Sequence, residues 1–243
     1  MKKRADQLTV EQGLCENRTQ AQRLIQAGLI RIGTDQVINK VGQMIDDSIQ
    51  LTLITPCPYV SRGAYKLLAG LEEFKPEIEG CVAMDIGAST GGFTDLLLQN
   101  GVKEVYAVDV GYGQLHIKLR EDPRVHVLER CNARYLTSEH IPEPTDLMVS
   151  DVSFISLKKI LPSCAPFLKE NAWILVLVKP QFEAKREEIG KNGVVRDEAV
   201  RLRCVQEVCE FAQQELGWTH VGTVPSPITG PKGNQEYIVA FRK

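Results

Sequence analysis

The sequence predicts an α/β protein in two parts: a doubly wound sheet of seven strands and, before it, a small α+β domain. Two patterns predict this fold class. From residue 81 onward, short apolar strands alternate with amphipathic helices, whereas residues 1–55 carry two short helical patterns followed by short strands. Two prolines within three residues, Pro56 and Pro58, interrupt regular structure between these patterns. We therefore expect domains at residues 1–55 and 61–243, joined by a linker at residues 56–60.

The composition is that of an ordinary globular protein. The 243 residues are 43% hydrophobic and 25% charged, which excludes disordered, collagen-like and coiled-coil proteins. The net charge of −2 is unevenly spread, because residues 1–70 hold nine Lys/Arg and six Asp/Glu, a net charge of +3. A uniformly basic nucleic-acid-binding protein is therefore excluded, whereas a basic patch near the N-terminus is not.

The N-terminal part predicts two helices and three short strands. Apolar residues at helical spacing favour a helix at residues 5–14 and a second one at residues 18–27. Asn17 is a suitable N-cap for the second helix, and Gly28 is a suitable stop. Strands are expected at residues 29–32, 37–38 and 48–54, with a turn at residues 33–35.

The larger part predicts a sheet covered by helices. Its first two strands begin 22 residues apart, which leaves room for one crossover helix between parallel strands. The strands are expected at residues 82–86, 104–108, 124–128, 146–150, 173–178, 220–224 and 237–241. The helices are expected at residues 92–99, 113–120, 156–167 and 196–216.

A glycine-containing loop follows the first strand of this sheet, with the sequence Asp85-Ile-Gly-Ala-Ser-Thr-Gly-Gly-Phe93. Glycines let the backbone turn tightly and approach a ligand at a helix N-terminus. Asp109 ends the second strand, where a carboxylate can accept hydrogen bonds from both ribose hydroxyls. A serine replaces the second glycine of the dinucleotide motif, and an aspartate at the position of Asp85 is more typical of S-adenosylmethionine sites. The candidate cofactor-binding residues are Asp85, Gly87, Ser89, Gly91, Gly92, Phe93, Asp109, Asn132 and Asp151.

Two charged residues end later strands of the sheet. Asp151 follows the fourth strand and Lys179 follows the fifth, and ligands of such sheets bind outside the carboxyl ends of the strands. A lysine that ends a seven-residue apolar run is unusual unless the protein uses its charge. Together with the glycine loop, these residues fit methyl transfer, in which the protein positions the acceptor and removes its proton.

The N-terminal part resembles the S4 RNA-binding module. The resemblance rests on Arg4-Ala-Asp6, Asn17-Arg18-Thr-Gln-Ala-Gln-Arg23, Gln26-Ala-Gly28, Ile32-Gly33 and Lys40. It implies that basic side chains of this part lie near RNA phosphates. The candidate RNA-binding residues are Arg4, Arg18, Arg23 and Lys40, together with Arg62 at the start of the larger part.

The larger part resembles the FtsJ-like ribose 2′-O-methyltransferases, which use a Lys-Asp-Lys-Glu tetrad. Lys66, Asp151, Lys179 and Glu236 match its four members. The resemblance implies that Lys179 acts as the base or stabilises the developing alkoxide, with Asp151 as its orienting partner. It also implies that Lys66 and Glu236 complete the polar network that holds the ribose.

The combination of the two parts is similar to the TlyA family of bacterial rRNA methyltransferases, also named hemolysin A. Further matching stretches are Asp151-Val-Ser-Phe-Ile-Ser156, Lys179-Pro-Gln-Phe-Glu183 and Ser226-Pro-Ile-Thr-Gly-Pro-Lys-Gly-Asn-Gln-Glu236. This similarity implies a Rossmann-like methyltransferase sheet that uses S-adenosylmethionine to methylate the ribose 2′-hydroxyl of cytidines. The expected partners are ribosomal RNA or ribosomal subunits, and no obligate protein partner is evident.

Other functional classes have weaker support in the sequence. The seven cysteines form no C-x-x-C pair and the four histidines show no metal spacing, so we expect no metal site and a reducing, cytoplasmic location. The longest apolar run, residues 172–178, is too short to span a bilayer. Three alternatives remain open: a membrane-active hemolysin, a non-catalytic RNA-binding assembly factor, and an amine methyltransferase acting on a base. The last class favours an Asn/Asp-Pro-Pro-aromatic motif where this chain has Asp151-Val-Ser-Phe154.

Overall fold

The chain divides into two units, Met1–Pro58 and Tyr59–Lys243. A computed structural model describes residues 1–33, 36–54 and 57–243. Two residues of the predicted turn, Thr34 and Asp35, lie outside the described residues, as does Pro56 of the predicted linker.

In the described residues of the first unit, 1–33, 36–54 and 57–58, there are two short helices and five short strands. The helices are α1 (Ala5–Glu11) and α2 (Arg18–Gln26), and the strands are β1 (Lys2–Arg4), β2 (Ile30–Ile32), β3 (Gln36–Val37), β4 (Met44–Asp46) and β5 (Leu51–Leu53). Strands β3, β2 and β5 form one antiparallel sheet, and β1 pairs with β4. The sequence did not predict the β1–β4 pair, because a three-residue basic strand shows no alternation of apolar and polar residues.

Helix α2 begins at the predicted residue and ends one residue before the predicted end, with Ala27 as its C-cap. Asn17 Oδ1 accepts a hydrogen bond from the backbone N–H of Gln20 at 2.9 Å, which confirms the N-cap. Gly28 follows the helix with φ of +70°, a left-handed conformation that glycine adopts without strain. The helices pack on the strands through a small core of Ala5, Leu8, Ile25, Ile30, Ile38, Ile45 and Leu51.

The second unit is built on a sheet of seven strands, as the sequence predicts. The strands are β6 (Val82–Ile86), β7 (Glu104–Val108), β8 (Val125–Leu128), β9 (Thr145–Ser150), β10 (Leu168–Val178), β11 (Thr219–Pro225) and β12 (Tyr237–Arg242). Their spatial order is β11-β12-β10-β9-β6-β7-β8. The run from β10 to β8 is parallel, whereas β12 is antiparallel to both of its neighbours.

Helices cover both faces of this sheet. They are α3 (Ala64–Phe74), α4 (Gly92–Gln99), α5 (Ile117–Arg120), α6 (Leu161–Cys164), α7 (Pro180–Glu183) and α8 (Glu198–Leu216). Alternate residues of β10 point to opposite faces: Ile174 and Val176 join the core beneath α8, and Leu175 and Leu177 join the core beneath α3 and α4.

In the first unit, the helix expected at residues 5–14 ends at Glu11. Two predicted helices of the second unit differ more from the structure. Residues 156–167 form α6 between two single 3₁₀ turns, because Pro162 and Pro166 each begin a new turn and cannot donate a helical hydrogen bond. The helix expected at residues 113–120 begins only at Ile117, since Gly113 has φ of +70°. Helices α3 and α7, both next to the candidate site, were not predicted.

Candidate active site

Three neighbouring strands bring three polar residues to one edge of the sheet. Asp151 follows β9 and Lys179 follows β10, and the carboxyl ends of these parallel strands meet at the same edge. Glu236 precedes β12, and because β12 is antiparallel to β10, its amino end lies at that edge too. Lys66 reaches the same place from α3, which packs on β10 and β12.

The four charged side chains form a connected set of ion pairs. Lys179 Nζ lies 2.5 Å from Asp151 Oδ1, and Lys66 Nζ lies 3.6 Å from Asp151 Oδ2. Lys66 also donates a hydrogen bond of 2.7 Å to Glu236 Oε2. Asp151 therefore bridges two ammonium groups.

This set is largely withdrawn from water. Lys66 is 8% exposed, Lys179 is 6% exposed and Glu236 is fully buried. Buried charges are tolerated only when they are paired, and two cations face two anions here. The arrangement holds two amines and two carboxylates in fixed positions at the mouth of the sheet.

The glycine loop leaves β6 beside this set. Gly87 has φ of +88°, and a Cβ at this position would lie 2.9 Å from the carbonyl oxygen of Asp151. Only glycine fits such a close approach between the loop and the end of β9. Ser89, with φ of +49°, donates its backbone N–H to Asp109 Oδ2 at 2.8 Å.

Asp85 lies beneath the loop and is fully buried. Its Oδ2 accepts hydrogen bonds from the backbone N–H and the hydroxyl of Thr94, at 3.1 and 2.7 Å. Its Oδ1 has no hydrogen-bond partner among the residues that the structure describes. Burial raises the pKa of Asp85 to about 7, although the hydrogen bonds from Thr94 act against that shift.

Asp109 and Asn132 stand at the ends of the next two strands. Asp109 Oδ1 accepts the backbone N–H of Gly111 at 2.6 Å, so both of its oxygens contact backbone donors. Asn132 follows β8, and its Oδ1 accepts the backbone N–H of Arg134 at 3.1 Å.

Two adjoining cavities open at this edge of the sheet. The larger, of about 450 Å³, is lined by Asp109, Asn132 and apolar residues such as Ile155. The smaller, of about 230 Å³, is lined by the glycine loop, Asp85 and three members of the ion-paired set. Both are lined by Gly87, Ser89, Asp151 and Ser153.

Three other residues of the glycine motif support the loop by packing. Gly91 has φ of +93°, and a Cβ there would overlap Leu119 Cδ1. Gly92 begins α4 and leaves room for Ser61, whose Oγ would lie 2.8 Å from an added Cβ. Phe93 is 4% exposed and belongs to the core beneath α4. Gly92 and Phe93 also line the smaller cavity, whereas Gly91 faces helix α5.

Sequence reasoning missed two residues that contact the site, Ser153 and Gln181, and a third, Glu183, that fastens the loop following Asp151. Lys179 Nζ donates to Ser153 Oγ at 2.8 Å, and Gln181 Nε2 donates to Glu236 Oε1 at 3.1 Å. Glu183 accepts hydrogen bonds from Ser156 Oγ at 2.6 Å and from the backbone N–H of Leu157 at 2.8 Å. All three lie in the two motifs quoted above that begin at Asp151 and Lys179. Their position in these motifs was the sequence signal that could have identified them.

The candidate RNA-binding residues fall in both units. In the first unit, the fully buried carboxylate of Asp6 accepts hydrogen bonds from Arg4 at 3.0 and 3.2 Å and from Arg18 at 2.8 Å. Arg23 and Lys40 are exposed. Arg62 is exposed in the second unit, two residues before α3.

The described residues contain neither a candidate metal site nor a candidate membrane-spanning helix. Within 1–33, 36–54 and 57–243, no three His, Cys, Asp or Glu side chains are grouped so as to hold a metal ion. No helix in the same ranges combines the length and the apolar character needed to cross a membrane.

Comparison with known proteins gives consistent matches. The FtsJ-like methyltransferase family profile matches residues 59–243. The 16S/23S rRNA (cytidine-2′-O)-methyltransferase TlyA of Mycobacterium tuberculosis is 47% identical over 241 residues, covering 98% of this chain and 89% of the relative. Hemolysin A of Brachyspira hyodysenteriae is 39% identical, covering 98% of this chain and 99% of the relative.

A solved structure agrees with these matches. The protein of Streptococcus thermophilus, which carries the name hemolysin, is 44% identical with a TM-score of 0.77, covering 100% of this chain and 88% of that chain. The chain belongs to the FtsJ-like methyltransferase family, in the group of full-length relatives that includes TlyA.

Proposed function

We propose that this protein methylates the 2′-hydroxyl of a ribose in ribosomal RNA, with S-adenosylmethionine as the methyl donor. The observation that carries the proposal is the ion-paired set of Lys66, Asp151, Lys179 and Glu236 beside the glycine loop. The relative named for cytidine-2′-O-methylation of 16S and 23S rRNA supports cytidine as the target nucleoside. Such a substrate would place the reaction in the cytoplasm.

The residues around the two cavities fit this cofactor. Asp109 ends β7, where a carboxylate suits ribose hydroxyls, and Asn132 would border the adenine. Asp85 Oδ1 is buried and has no hydrogen-bond partner in the part of the chain that the structure describes. This oxygen and the close backbone approach at Gly87 suit a cationic ligand that lies against the loop. When bound, S-adenosylmethionine supplies an activated methyl group, which the target oxygen takes while the sulfur keeps the electron pair of the broken bond. Ser89, Gly91, Gly92 and Phe93 would shape the loop around it.

Lys179 activates the target hydroxyl, either by accepting its proton or by stabilising the negative oxygen that forms. A ribose hydroxyl is a poor nucleophile, so it needs a base or a nearby cation as its oxygen becomes negative. The Nζ of Lys179 can accept the proton, or as an ammonium it can stabilise the alkoxide. Asp151 orients this amine through the 2.5 Å contact, and the Lys66–Glu236 pair holds the ribose.

Residues 1–55 would form an S4-like RNA-binding domain, followed by a linker at residues 56–60 and the catalytic domain at residues 61–243. Arg4 and Arg18, held by the buried Asp6, would contact phosphates together with Arg23, Lys40 and Arg62. Arginine guanidinium groups held by a buried carboxylate present a rigid array of donors, which suits the RNA backbone.

The test is labelled methyl transfer to unmodified ribosomal subunits by the wild type and by Lys179→Ala. We expect ribosomal RNA labelled by the wild type, a rate at least about 100-fold lower with the variant, and unchanged RNA binding. Lys169→Ala is the matched control, because Lys169 lies on the same strand at the opposite end of the sheet.

The chemistry of the product separates the alternatives. A 2′-O-methyl group blocks alkaline cleavage at its own linkage, whereas a methylated base does not. Cleavage at the labelled nucleotide, or equal labelling by the wild type and Lys179→Ala, would contradict the proposal. RNA binding without any transfer would favour a non-catalytic assembly factor.

A further inference from the structure

Lys179 has a second polar partner besides Asp151. Its Nζ donates a hydrogen bond of 2.8 Å to Ser153 Oγ, and the contact to Asp151 Oδ1 is 2.5 Å. Ser153 stands two residues after Asp151 in the loop that leaves β9, and its side chain lines both cavities.

The hydrogen bond to Ser153 sets the orientation of the amine. The nitrogen of a lysine side chain has four bonding directions, of which Cε takes one and Ser153 Oγ takes a second. Asp151 holds the amine on one side as an ion-pair partner at 2.5 Å, without a hydrogen bond to Oδ1 among the described residues. With the Ser153 direction fixed, the other two directions are fixed as well, and one of them serves the target hydroxyl.

Without Ser153 Oγ, the amine would lose this definition. Rotation about the bond between Cε and Nζ would then spread its hydrogens or lone pair over a cone around that bond, because the ion pair with Asp151 supplies no hydrogen bond that fixes the rotation. Lys179, Asp151 and Ser153 all line the smaller cavity, so the amine borders the space in which a proton would be moved. The hydroxyl of Ser153 therefore fixes the orientation of the Lys179 amine, which would otherwise rotate.

The loop that carries Ser153 is itself fastened to the element that follows Lys179. Glu183, which ends α7, accepts hydrogen bonds from Ser156 Oγ and from the backbone N–H of Leu157. The rings of Phe154 and Phe182 meet between these points, with centroids 5.2 Å apart. These contacts join the loop that carries Ser153 to α7, the helix that follows Lys179. They hold Ser153 Oγ within hydrogen-bond distance of Lys179 Nζ.

We infer that Ser153 is a positioning residue for methyl transfer, which acts by orienting the amine of Lys179 toward the target hydroxyl. This inference rests on the proposed ribose methylation. Because Ser153 acts through Lys179, its loss should lower kcat, whereas the affinities for S-adenosylmethionine and for RNA should stay the same.

The test compares three substitutions of Ser153 in the full-length protein. Ser153→Ala removes the acceptor, Ser153→Cys keeps the size but offers only a weak acceptor, and Ser153→Thr keeps the hydroxyl. Ser153 is exposed, so the extra methyl of threonine has room. The control is Ser163→Ala on α6. Single-turnover rates, S-adenosylmethionine affinity by calorimetry and Tm are measured for each variant.

We expect Ser153→Ala and Ser153→Cys to lower the rate about 10- to 100-fold, with cofactor affinity within twofold and Tm unchanged. Ser153→Thr should retain the rate within about threefold, and Ser163→Ala should match the wild type. An alanine variant as fast as the wild type, or one whose cofactor affinity falls in step with its rate, would overturn the inference. If the wild type itself places no label on a ribose hydroxyl, the proposed function fails instead.

Discussion

Asp85 shows how burial changes the chemistry of one residue. The side chain has no exposed surface, and Thr94 satisfies only one of its two oxygens among the described residues. Burial disfavours the carboxylate and raises the pKa to about 7, and the nearby charge of Asp151 acts in the same direction. Near pH 7, Asp85 is therefore only partly ionised, whereas an ordinary aspartate is fully ionised at this pH.

Asp85 should make the stability of the protein depend on pH. Between about pH 4, the pKa of an unfolded aspartate, and pH 7, the folded state keeps a proton that the unfolded state releases, so stability falls as the pH rises. Asp85→Asn removes this dependence. We expect the free energy of unfolding of the variant, relative to the wild type, to increase by the order of 3 kcal/mol from pH 5 to pH 8.

Urea unfolding at pH 5 and pH 8 measures this difference. Glu139 is exposed, so Glu139→Gln is the control: it measures how much replacing a carboxyl by an amide changes the free energy of unfolding where the group is not buried. If the stability of Asp85→Asn relative to the wild type is the same at both pH values, Asp85 is already ionised at pH 5 in the folded protein.

At the scale of elements, helix α3 carries Lys66 into the site and depends on close packing against the sheet. A Cβ on Gly70 would lie 2.7 Å from Ile238 Cγ2 on β12 and 3.1 Å from Leu175 Cδ2 on β10. Both of these side chains are fully buried and cannot move into solvent. The absence of a side chain at Gly70 thus sets the distance between α3 and the sheet.

Gly70→Ala should therefore destabilise the protein even though alanine favours helices. Alanine gains about 1 kcal/mol of helix propensity over glycine, whereas overpacking a buried contact costs about 1–3 kcal/mol. We expect a net loss of about 1 kcal/mol in the free energy of unfolding, together with lower activity because Lys66 shifts with the helix. Urea unfolding and the transfer assay measure the two effects.

The exposed face of the same helix provides the control. Glu73→Ala gains helix propensity without adding a buried atom, so its stability should equal or exceed that of the wild type. A stabilised Gly70→Ala variant would show that the sheet can accommodate the methyl group.

At the scale of the whole molecule, the boundary between the two units changes the net charge that is assigned to each part of the chain. The count over residues 1–70 includes Arg62 and Lys66, which belong to the second unit. Residues 1–58 contain seven Lys/Arg and six Asp/Glu, a net charge of only +1. The proposed RNA binding by the first unit would therefore depend on how its cations are arranged and not on its net charge. Hydrogen bonds from Arg4 and Arg18 hold the pKa of Asp6 well below its usual range, so its carboxylate fixes both cations at ordinary pH.

Removal of the first unit should separate substrate capture from cofactor binding. A chain of residues 59–243 retains the ion-paired set and both cavities, so we expect its S-adenosylmethionine affinity to stay within about threefold. Its affinity for ribosomal subunits should fall, and its dependence on salt should weaken, because phosphate contacts have been lost. Affinity measured between 50 and 200 mM salt tests this expectation. Unchanged activity on whole subunits would argue against the first unit as the RNA anchor.

Local sequence patterns determined most of the sheet. Strands β6 and β7 and helix α4 have the bounds that periodicity predicts, because alternation and helical spacing are properties of neighbouring residues. The proline-divided segment 156–167 was predicted wrongly for the opposite reason: apolar spacing suggested one helix, and missing N–H donors break it into turns. The family resemblance, rather than periodicity, singled out Lys66 and Glu236.

Tertiary structure alone decided how these residues meet. Lys66 and Glu236 are 170 positions apart, and they come within 2.7 Å because β12 runs antiparallel beside β10 and α3 packs on both. No local pattern encodes strand order, which depends on how the whole chain buries its apolar faces. The same packing sets Ser153 against Lys179 and buries Asp85. The sequence by itself therefore determined which groups are present, and the fold decided which of them form ion pairs, form hydrogen bonds or line the same cavity.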